Sequence, residues 1–186
     1  MAGMAVEMSA ARLLAPFFGT SLYIWGILIG LMLAYLTAGY WFGGALADRR
    51  PRPGLFYGLN AVAACAIALL GLVAPAVLNV ALLLTEPAPF GLYLGTIAGC
   101  LALFAIPTVL LGTVSPFAIR LRVDRVGAAG RAAGSIFALS TIGSLIGTFA
   151  AVFLIIPAIG TRATLYSFAA VLLLAALAGL VTKGKH

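Results

Sequence analysis

The feature that most constrains this chain is a series of long apolar runs separated by short charged breaks. Residues 22–46 contain no charged side chain, and this run is longer than the roughly 20 residues with which a helix crosses a bilayer. Hydrophobic residues make up 64% of the 186 residues and charged residues only 8%, whereas a soluble domain has about 25% charged residues. The sequence therefore predicts an integral membrane protein and argues against a soluble enzyme, a nucleic-acid-binding protein and a disordered chain.

Most of the positive charge behind the net charge of +7 lies in alternate breaks between the apolar runs. The basic residues are Arg49, Arg50 and Arg52 in one break, Arg120, Arg122, Arg125 and Arg131 in another, and Lys183 and Lys185 at the C-terminus. Short loops rich in Lys and Arg are typical of the cytoplasmic side of a membrane protein. We therefore interpret these charges as topology determinants rather than a phosphate-binding patch, and we expect no nucleic acid as a partner. Both termini are predicted to be cytoplasmic, with the helices in the inner or plasma membrane.

Six transmembrane segments account for nearly the whole chain, as a single domain in the lipid bilayer. The predicted spans are residues 1–18, 22–46, 55–74, 92–119, 132–156 and 163–181. The first is included because the helix starting at Leu22 must be reached by an earlier crossing, and 18 residues at about 1.5 Å each give roughly 27 Å. Pro75 is predicted to end the third span, with a turn or short interfacial helix over residues 76–92, and Pro157 is predicted to end the fifth span.

The six predicted helices divide into two triplets that cross the membrane in opposite directions, as inverted repeats do. Residues 45–49 and 158–162 match weakly, since both have Ala first and Arg last. The predicted fold is therefore an all-α, six-helix bundle with a three-plus-three inverted repeat.

Two charged residues fall inside the first predicted span. Glu7 and Arg12 are costly in hydrocarbon, and charged residues at such positions are usually functional. One interpretation is structural: a loose ion pair between the two, or Glu7 lying near the membrane interface. The other is a substrate or proton site on the first helix. In either case we expect Arg12 to face protein or water, because an unpaired guanidinium in lipid is expensive.

Small residues recur at four-residue spacing on two of the predicted helices. The rows are Gly26, Gly30, Ala34 and Ala38 on the second helix, and Gly143, Gly147 and Ala151 on the fifth. This spacing places each row on one helix face, and small side chains let another helix backbone approach closely. Two interpretations stay open, which are packing inside one protomer and packing against a second six-helix unit.

The break after the second helix resembles the loop signature of the major facilitator superfamily of transporters. The matching residues are Gly44, Leu46, Asp48, Arg49 and Arg52, while Pro51 stands where that family usually has glycine. A longer resemblance connects the chain to the membrane domain of the fused major facilitator/spermidine synthase proteins. It covers residues 7–25, 115–121, 134–144, 147–157 and 160–164, although family members usually have more apolar residues before the Glu7 region.

The resemblance implies half of a major-facilitator-type bundle with a cavity lined by the first and fourth helices. The substrate or coupling residues would then be Glu7, Arg12, Ser115 and Arg120. The implied function is a homodimer of six-helix halves that transports a small metabolite, such as a polyamine or a related cation. In that dimer the second helix would meet the fifth helix of the partner, with Asp48 near Gly130 and Arg131 of the partner subunit. The alternatives are a non-transporting membrane anchor for a separately encoded aminopropyltransferase-like enzyme and a structural subunit without a small-molecule site.

No enzymatic activity is expected of this chain. Family members usually continue into an aminopropyltransferase-like domain, and no glycine-rich nucleotide-binding turn follows a strand in this sequence. Cys65 and Cys100 have no Cys or His at metal-ligand spacing, so no metal site or disulfide is predicted. We therefore expect no cofactor, no binding of S-adenosylmethionine and no synthesis of spermidine.

Overall fold

The computed structural model describes residues 2–85, 88–123 and 129–183, and every regular element in these ranges is a helix. The elements are α1 (Ala2–Phe18), α2 (Leu22–Arg49), α3 (Pro53–Thr85), α4 (Gly91–Gly112), α5 (Val114–Arg122), α6 (Ala129–Phe149), a π-helical segment (Ala150–Ile155) and α7 (Ile156–Lys183). The predicted all-α fold class is therefore confirmed. Arg125, Lys185 and residues 86–87 of the predicted loop lie outside the described residues.

Four helical stretches in the described ranges are long and apolar enough to cross a membrane. They are Leu22–Arg49, Pro53–Thr85, Gly91–Arg122 and Ala129–Thr182. Their outer surfaces carry large exposed apolar side chains, such as Leu33, Leu72, Leu101 and Val171. Extensive apolar surface of this kind is stable against lipid but not against water. The chain is therefore an all-α membrane protein, although α1, with 17 residues, is shorter than the four stretches.

The last of these stretches is two helical segments joined at a kink. A straight helix of its 54 residues would be roughly 81 Å long, far more than the roughly 30 Å of hydrocarbon in a bilayer. The backbone leaves helical geometry at Gly160, where φ is 82° and ψ is 168°. The helix thus continues past Pro157, where the fifth span was predicted to end, and bends at the nearby glycine instead.

Helices α2 and α4 run parallel and approach each other very closely. Near their first residues the rings of Tyr23 and Tyr93 are 5.8 Å apart, centroid to centroid. Further along, a Cβ atom added to Gly39 would lie only 2.8 Å from the Cα of Gly112. Glycine on both helices therefore permits contact between the two backbones, as in other membrane helix pairs.

Helix α3 packs antiparallel to α7. Gly71 in the middle of α3 lies against the ring of Tyr166 near the start of α7. Tyr57, near the start of α3, contacts Gly179 near the end of α7. At both contacts an aromatic ring of one helix packs against a glycine of the other. The second contact places the end of α7 beside the start of α3.

The prediction that Pro75 ends the third helix is wrong, because α3 continues through Pro75 to Thr85. A proline inside a helix removes one hydrogen bond, here the one to the carbonyl of Gly71. Helices in a membrane tolerate this loss when neighbouring helices pack around the bend. At the end of α3 the Thr85 hydroxyl donates to the Ala81 carbonyl oxygen at 2.7 Å.

The fourth predicted span consists of two helices, α4 and α5, with Thr113 between them. Pro116 has no N–H to donate to the carbonyl of Gly112, and the α-helical pattern is interrupted at the next residue, Thr113. The Thr113 hydroxyl donates to the Leu110 carbonyl oxygen at 2.7 Å, which satisfies one backbone acceptor there. Pro107, by contrast, lies inside α4 without interrupting it.

Candidate functional site

Helix α1 is buried on one face and partly open on the other. The buried residues are Ala5, Val6, Ser9, Ala10, Leu14 and Phe18, which recur at the three- and four-residue intervals of one helix face. Phe18 lies against Gly95 and Gly99 near the start of α4. The remaining face, which carries Glu7 and Arg12, lines three adjoining cavities.

The first cavity, of about 350 Å³, is the most polar of the three. Its polar side chains come from five helices and are Glu7 of α1, Tyr40 of α2, Asn60 of α3, Ser115 of α5, and Ser140 and Ser144 of α6. The Asn60 amide nitrogen donates to the Phe56 carbonyl oxygen at 2.8 Å, which holds this side chain in place. A cavity that contains a carboxylate together with hydroxyl and amide groups is suited to binding a small polar ligand.

The second and third cavities extend the first along α1. The second, of about 200 Å³, lies between α1 and α2 and is apolar except for Glu7. The third, of about 380 Å³, contains Arg12 and Thr20 and reaches Val152 of the π-helical segment. Glu7 lines the first two cavities, while Met8 and Trp25 line the last two. We call these three adjoining cavities together the α1 trough, with α1 as its floor.

The walls of the α1 trough are α2 on one side and α6 with the π-helical segment on the other. Gly3 shares the first cavity with Ser144, and Arg12 shares the third with Ile156. Residue numbers thus rise together along α1 and α6, so the two helices run parallel. Because Glu7 shares a cavity with Ser115 at one end while Phe18 lies against Gly95 at the other, α1 runs antiparallel to α4 and α5.

Glu7 and Arg12 do not form an ion pair with each other. The described ranges contain one ion pair, in which Arg120 Nε lies 3.1 Å from Asp48 Oδ1. Both of its partners are well exposed, with 44% and 73% of the side-chain surface accessible, respectively. The structure therefore places three of the four predicted substrate or coupling residues, Glu7, Arg12 and Ser115, in the α1 trough and the fourth, Arg120, outside it.

The residues of the predicted loop motif connect the end of α2 to α5. A Cβ atom on Gly44 would lie 3.9 Å from Pro116, an ordinary contact. Asp48 pairs with Arg120 four residues further along α5, whereas Arg49 and Arg52 are exposed. In one protomer the Asp48 carboxylate is therefore already satisfied by an arginine of the same chain.

The two rows of small residues have different surroundings. In the described part of the chain, a Cβ added to Gly26 or Gly30 would meet no atom of another element within 4 Å. Ala34 is exposed, and Ala38 is half-buried. Gly143 is half-buried, but Gly147 and Ala151 are buried, and Ala151 packs in a cluster with Ala5 of α1 and Phe168 of α7. The α6 row thus packs largely inside the protomer, and the α2 row is open.

Among the polar residues that share the first cavity with Glu7, Tyr40 and Asn60 were not singled out from the sequence. Asn60 is the one amide side chain in the predicted span 55–74, and an isolated polar residue in an apolar helix is a usable signal. Tyr40 has no such signal, because tyrosines are common on membrane helices.

Comparisons of the chain with protein families, curated proteins and solved structures give no match. The resemblance to the major facilitator superfamily therefore rests on the sequence motifs alone.

Proposed function

We propose that this chain is a six-span half of a major-facilitator-type transporter that works as a homodimer. It lies in the inner or plasma membrane and moves a small metabolite with a cationic group, of which a polyamine is one example. The α1 trough is the substrate pathway. The chain itself performs no chemistry on the substrate and needs no cofactor.

The directions of the helices support six crossings. α1, α3 and α6 run one way, while α2, α4 with α5, and α7 run the other way, as their pairwise contacts require. The chain therefore alternates in direction, with α1 starting and α7 ending on the same side. Exposed arginines gather at that side, among them Arg49, Arg52, Arg122 and Arg131, which favours a cytoplasmic location.

The single observation that carries the transport proposal is Glu7 in the α1 trough. A charged carboxylate inside the membrane is costly unless a cation or a proton neutralises it. A carboxylate that faces a cavity can receive such a partner. Hydroxyl and amide groups from four other helices line the same cavity. A membrane anchor for a separate enzyme would not need such a polar interior, so this observation favours transport over the anchor function.

A second copy of the chain accounts for the open side of the α1 trough. A transporter must enclose its substrate on all sides, and full-length members of the superfamily do so with two six-helix halves. Gly26 and Gly30 on α2 leave room for a partner backbone beside the trough. A homodimer with its two-fold axis along the membrane normal would bring two such troughs face to face.

Uptake by liposomes tests the transport function directly. Purified protein in liposomes should accumulate at least one labelled compound with an ammonium group from a panel of putrescine, spermidine and ε-aminocaproate. Glu7→Gln should abolish that uptake, because an amide can bind neither a proton nor a cation by charge. Glu7→Asp, which keeps the carboxylate, should retain part of the activity and serves as the matched control. Uptake by Glu7→Gln at the wild-type rate, with unchanged elution on size exclusion, would reject the role of Glu7.

A further inference from the structure

The α1 trough contains opposite charges that the protomer leaves unsatisfied. Glu7 and Arg12 both line it, and neither forms an ion pair in the described part of the chain. Charged side chains at the depth of a membrane helix are expensive unless a partner neutralises them. A ligand that carries both charges would neutralise the two side chains at once.

The positions of the two residues set the dimensions of such a ligand. They are five residues apart, which corresponds to about 7.5 Å along the helix axis and about 140° around it. Glu7 lines one cavity with Leu28 of α2 and another with Ser144 of α6, and the cavity of Arg12 likewise contains residues of both walls. The two charges are therefore separated lengthwise along the trough, and a ligand between them would contact both walls.

The surface between the two charges is apolar and aromatic. Met8 and Trp25 line both the cavity that contains Glu7 and the one that contains Arg12. A thioether and an indole ring provide good contacts for methylene groups. The trough thus offers, in order along α1, an anionic side chain, an apolar contact and a cationic side chain.

We propose that the α1 trough binds an elongated zwitterion, with the ligand's ammonium group at Glu7, its carboxylate or other anionic group at Arg12, and its methylene chain against Met8 and Trp25. The proposal rests on the proposed function and narrows its substrate class. A polyamine would place an ammonium group beside Arg12, and a dianion would place a carboxylate beside Glu7. An α-amino acid is too short, because a single carbon atom joins its two charged groups.

Three ligands of matched chain length distinguish these possibilities. They are ε-aminocaproate, which is the zwitterion, hexamethylenediamine, which is the dication, and adipate, which is the dianion. The chain has two tryptophans, Trp25 and Trp41, and Trp41 is 74% exposed on α2, outside the residues that line the trough. In a Trp41→Phe background the fluorescence of Trp25 therefore reports binding in the trough of the full chain in nanodiscs.

The expected result is that ε-aminocaproate binds more tightly than the other two ligands. Glu7→Gln should weaken the binding of ε-aminocaproate and of hexamethylenediamine by about tenfold or more. Loss of a hydrogen bond between charged groups typically lowers affinity by at least this factor. Arg12→Gln should weaken ε-aminocaproate and adipate by a similar factor and should strengthen hexamethylenediamine. Arg162→Gln, which removes an exposed arginine outside the trough, should change none of the three and is the control.

Two outcomes would overturn the proposal. One is tighter binding of hexamethylenediamine than of ε-aminocaproate by the wild-type trough, and the other is unchanged ε-aminocaproate binding in Arg12→Gln. Uptake measured in parallel separates this proposal from the transport function. If the diamine is taken up and Arg12→Gln does not change its uptake, the transport function stands and the zwitterion proposal is rejected. If the zwitterion binds and needs both charges but is not taken up, the binding proposal stands and the transport function is rejected.

Discussion

At the scale of single residues, glycine decides where helices of this protein touch. The sequence has small residues on several faces of α2, and spacing alone does not separate the face that meets α4 from the face that meets lipid or a partner. The structure makes the distinction, because Gly39 and Gly43 lie against the backbone of Gly112 and Thr113, while a Cβ added to Gly26 or Gly30 would meet no other element within 4 Å in the described part of the chain. Sequence periodicity assigns residues to faces, but the neighbour of each face depends on residues far away in the chain.

Alanine at Gly39 should destabilise the protein, although alanine is the better helix former. The added methyl group would lie 2.8 Å from the Cα of Gly112, and forcing helices apart in a packed interior costs about 1–3 kcal/mol. Gly58→Ala on α3 is the matched control, since its Cβ meets no atom within 4 Å and the substitution should gain up to about 1 kcal/mol of helix propensity. The free energy of unfolding is measured in detergent, with circular dichroism as the signal that monitors loss of helix. Equal stability of the two variants would contradict the close contact of α2 and α4.

At the scale of helices, the sequence predicts where most of them begin, and prolines are the least reliable signals of where they end. Helix α2 starts at Leu22 as predicted, with the Ser21 hydroxyl accepting from the Ile24 amide at 3.4 Å. Pro75 and Pro157 both lie inside helices, although each was predicted to end one. The effect of a proline depends on whether neighbouring helices pack around the bend it causes, and this information is not local.

The bend between the last two helical segments should depend on Gly160. Its φ of 82° with ψ of 168° lies in a region that essentially only glycine adopts, and a side chain there costs about 1–3 kcal/mol. Since an added Cβ meets no atom within 4 Å, Gly160→Ala should lower stability through the backbone alone. Gly134→Ala, on α6 with equally free space and no positive φ, is the control and should be neutral or slightly stabilising. Thermal unfolding in detergent compares the two variants, and a neutral Gly160→Ala would argue against the bend.

At the scale of the whole molecule, the α1 trough is assembled from residues that are distant in sequence. Glu7 and Arg12 were predictable because charge in an apolar helix is conspicuous, and Ser115 followed from the family resemblance. Tyr40 and Asn60 meet Glu7 only because α1 packs against several helices at once. Local patterns therefore identify the charged floor of the trough, whereas its uncharged walls depend on how the bundle packs.

The burial of Gly147 changes how the proposed homodimer has to be tested. The sequence suggested that the rows on α2 and α6 meet across the dimer, with Asp48 near Gly130 and Arg131 of the partner. In the structure Asp48 pairs with Arg120 of its own chain, and Gly147 is buried inside the protomer. Gly147→Leu would therefore disturb the protomer itself, so it does not report on the dimer. The open row with Gly30 on α2 remains the suitable place for the substitution.

Gly30→Leu should shift the protein from dimer to monomer in mild detergent. Close approach of small residues is a main source of stability between membrane helices, and overfilling such a contact costs about 1–3 kcal/mol. Gly58→Leu adds the same side chain at an open position of α3 and should leave the elution volume on size exclusion unchanged. Equal elution of the two variants at the dimer position would contradict the α2 interface.

Cysteine cross-linking tests the same dimer by a second route. Helices α2 and α6 do not contact each other within the described part of one chain, so a disulfide between them has to join two chains. Cysteines replace Ala34 and Ile146, both exposed, after Cys65→Ser and Cys100→Ala remove the native thiols. The proposed homodimer predicts a band of doubled mass on a non-reducing gel for the double variant and a much weaker band for each single variant. A band at the monomer mass under oxidising conditions in native membranes would mean that α2 and α6 of two copies do not meet, and that the open side of the α1 trough faces something other than a second copy arranged in this way.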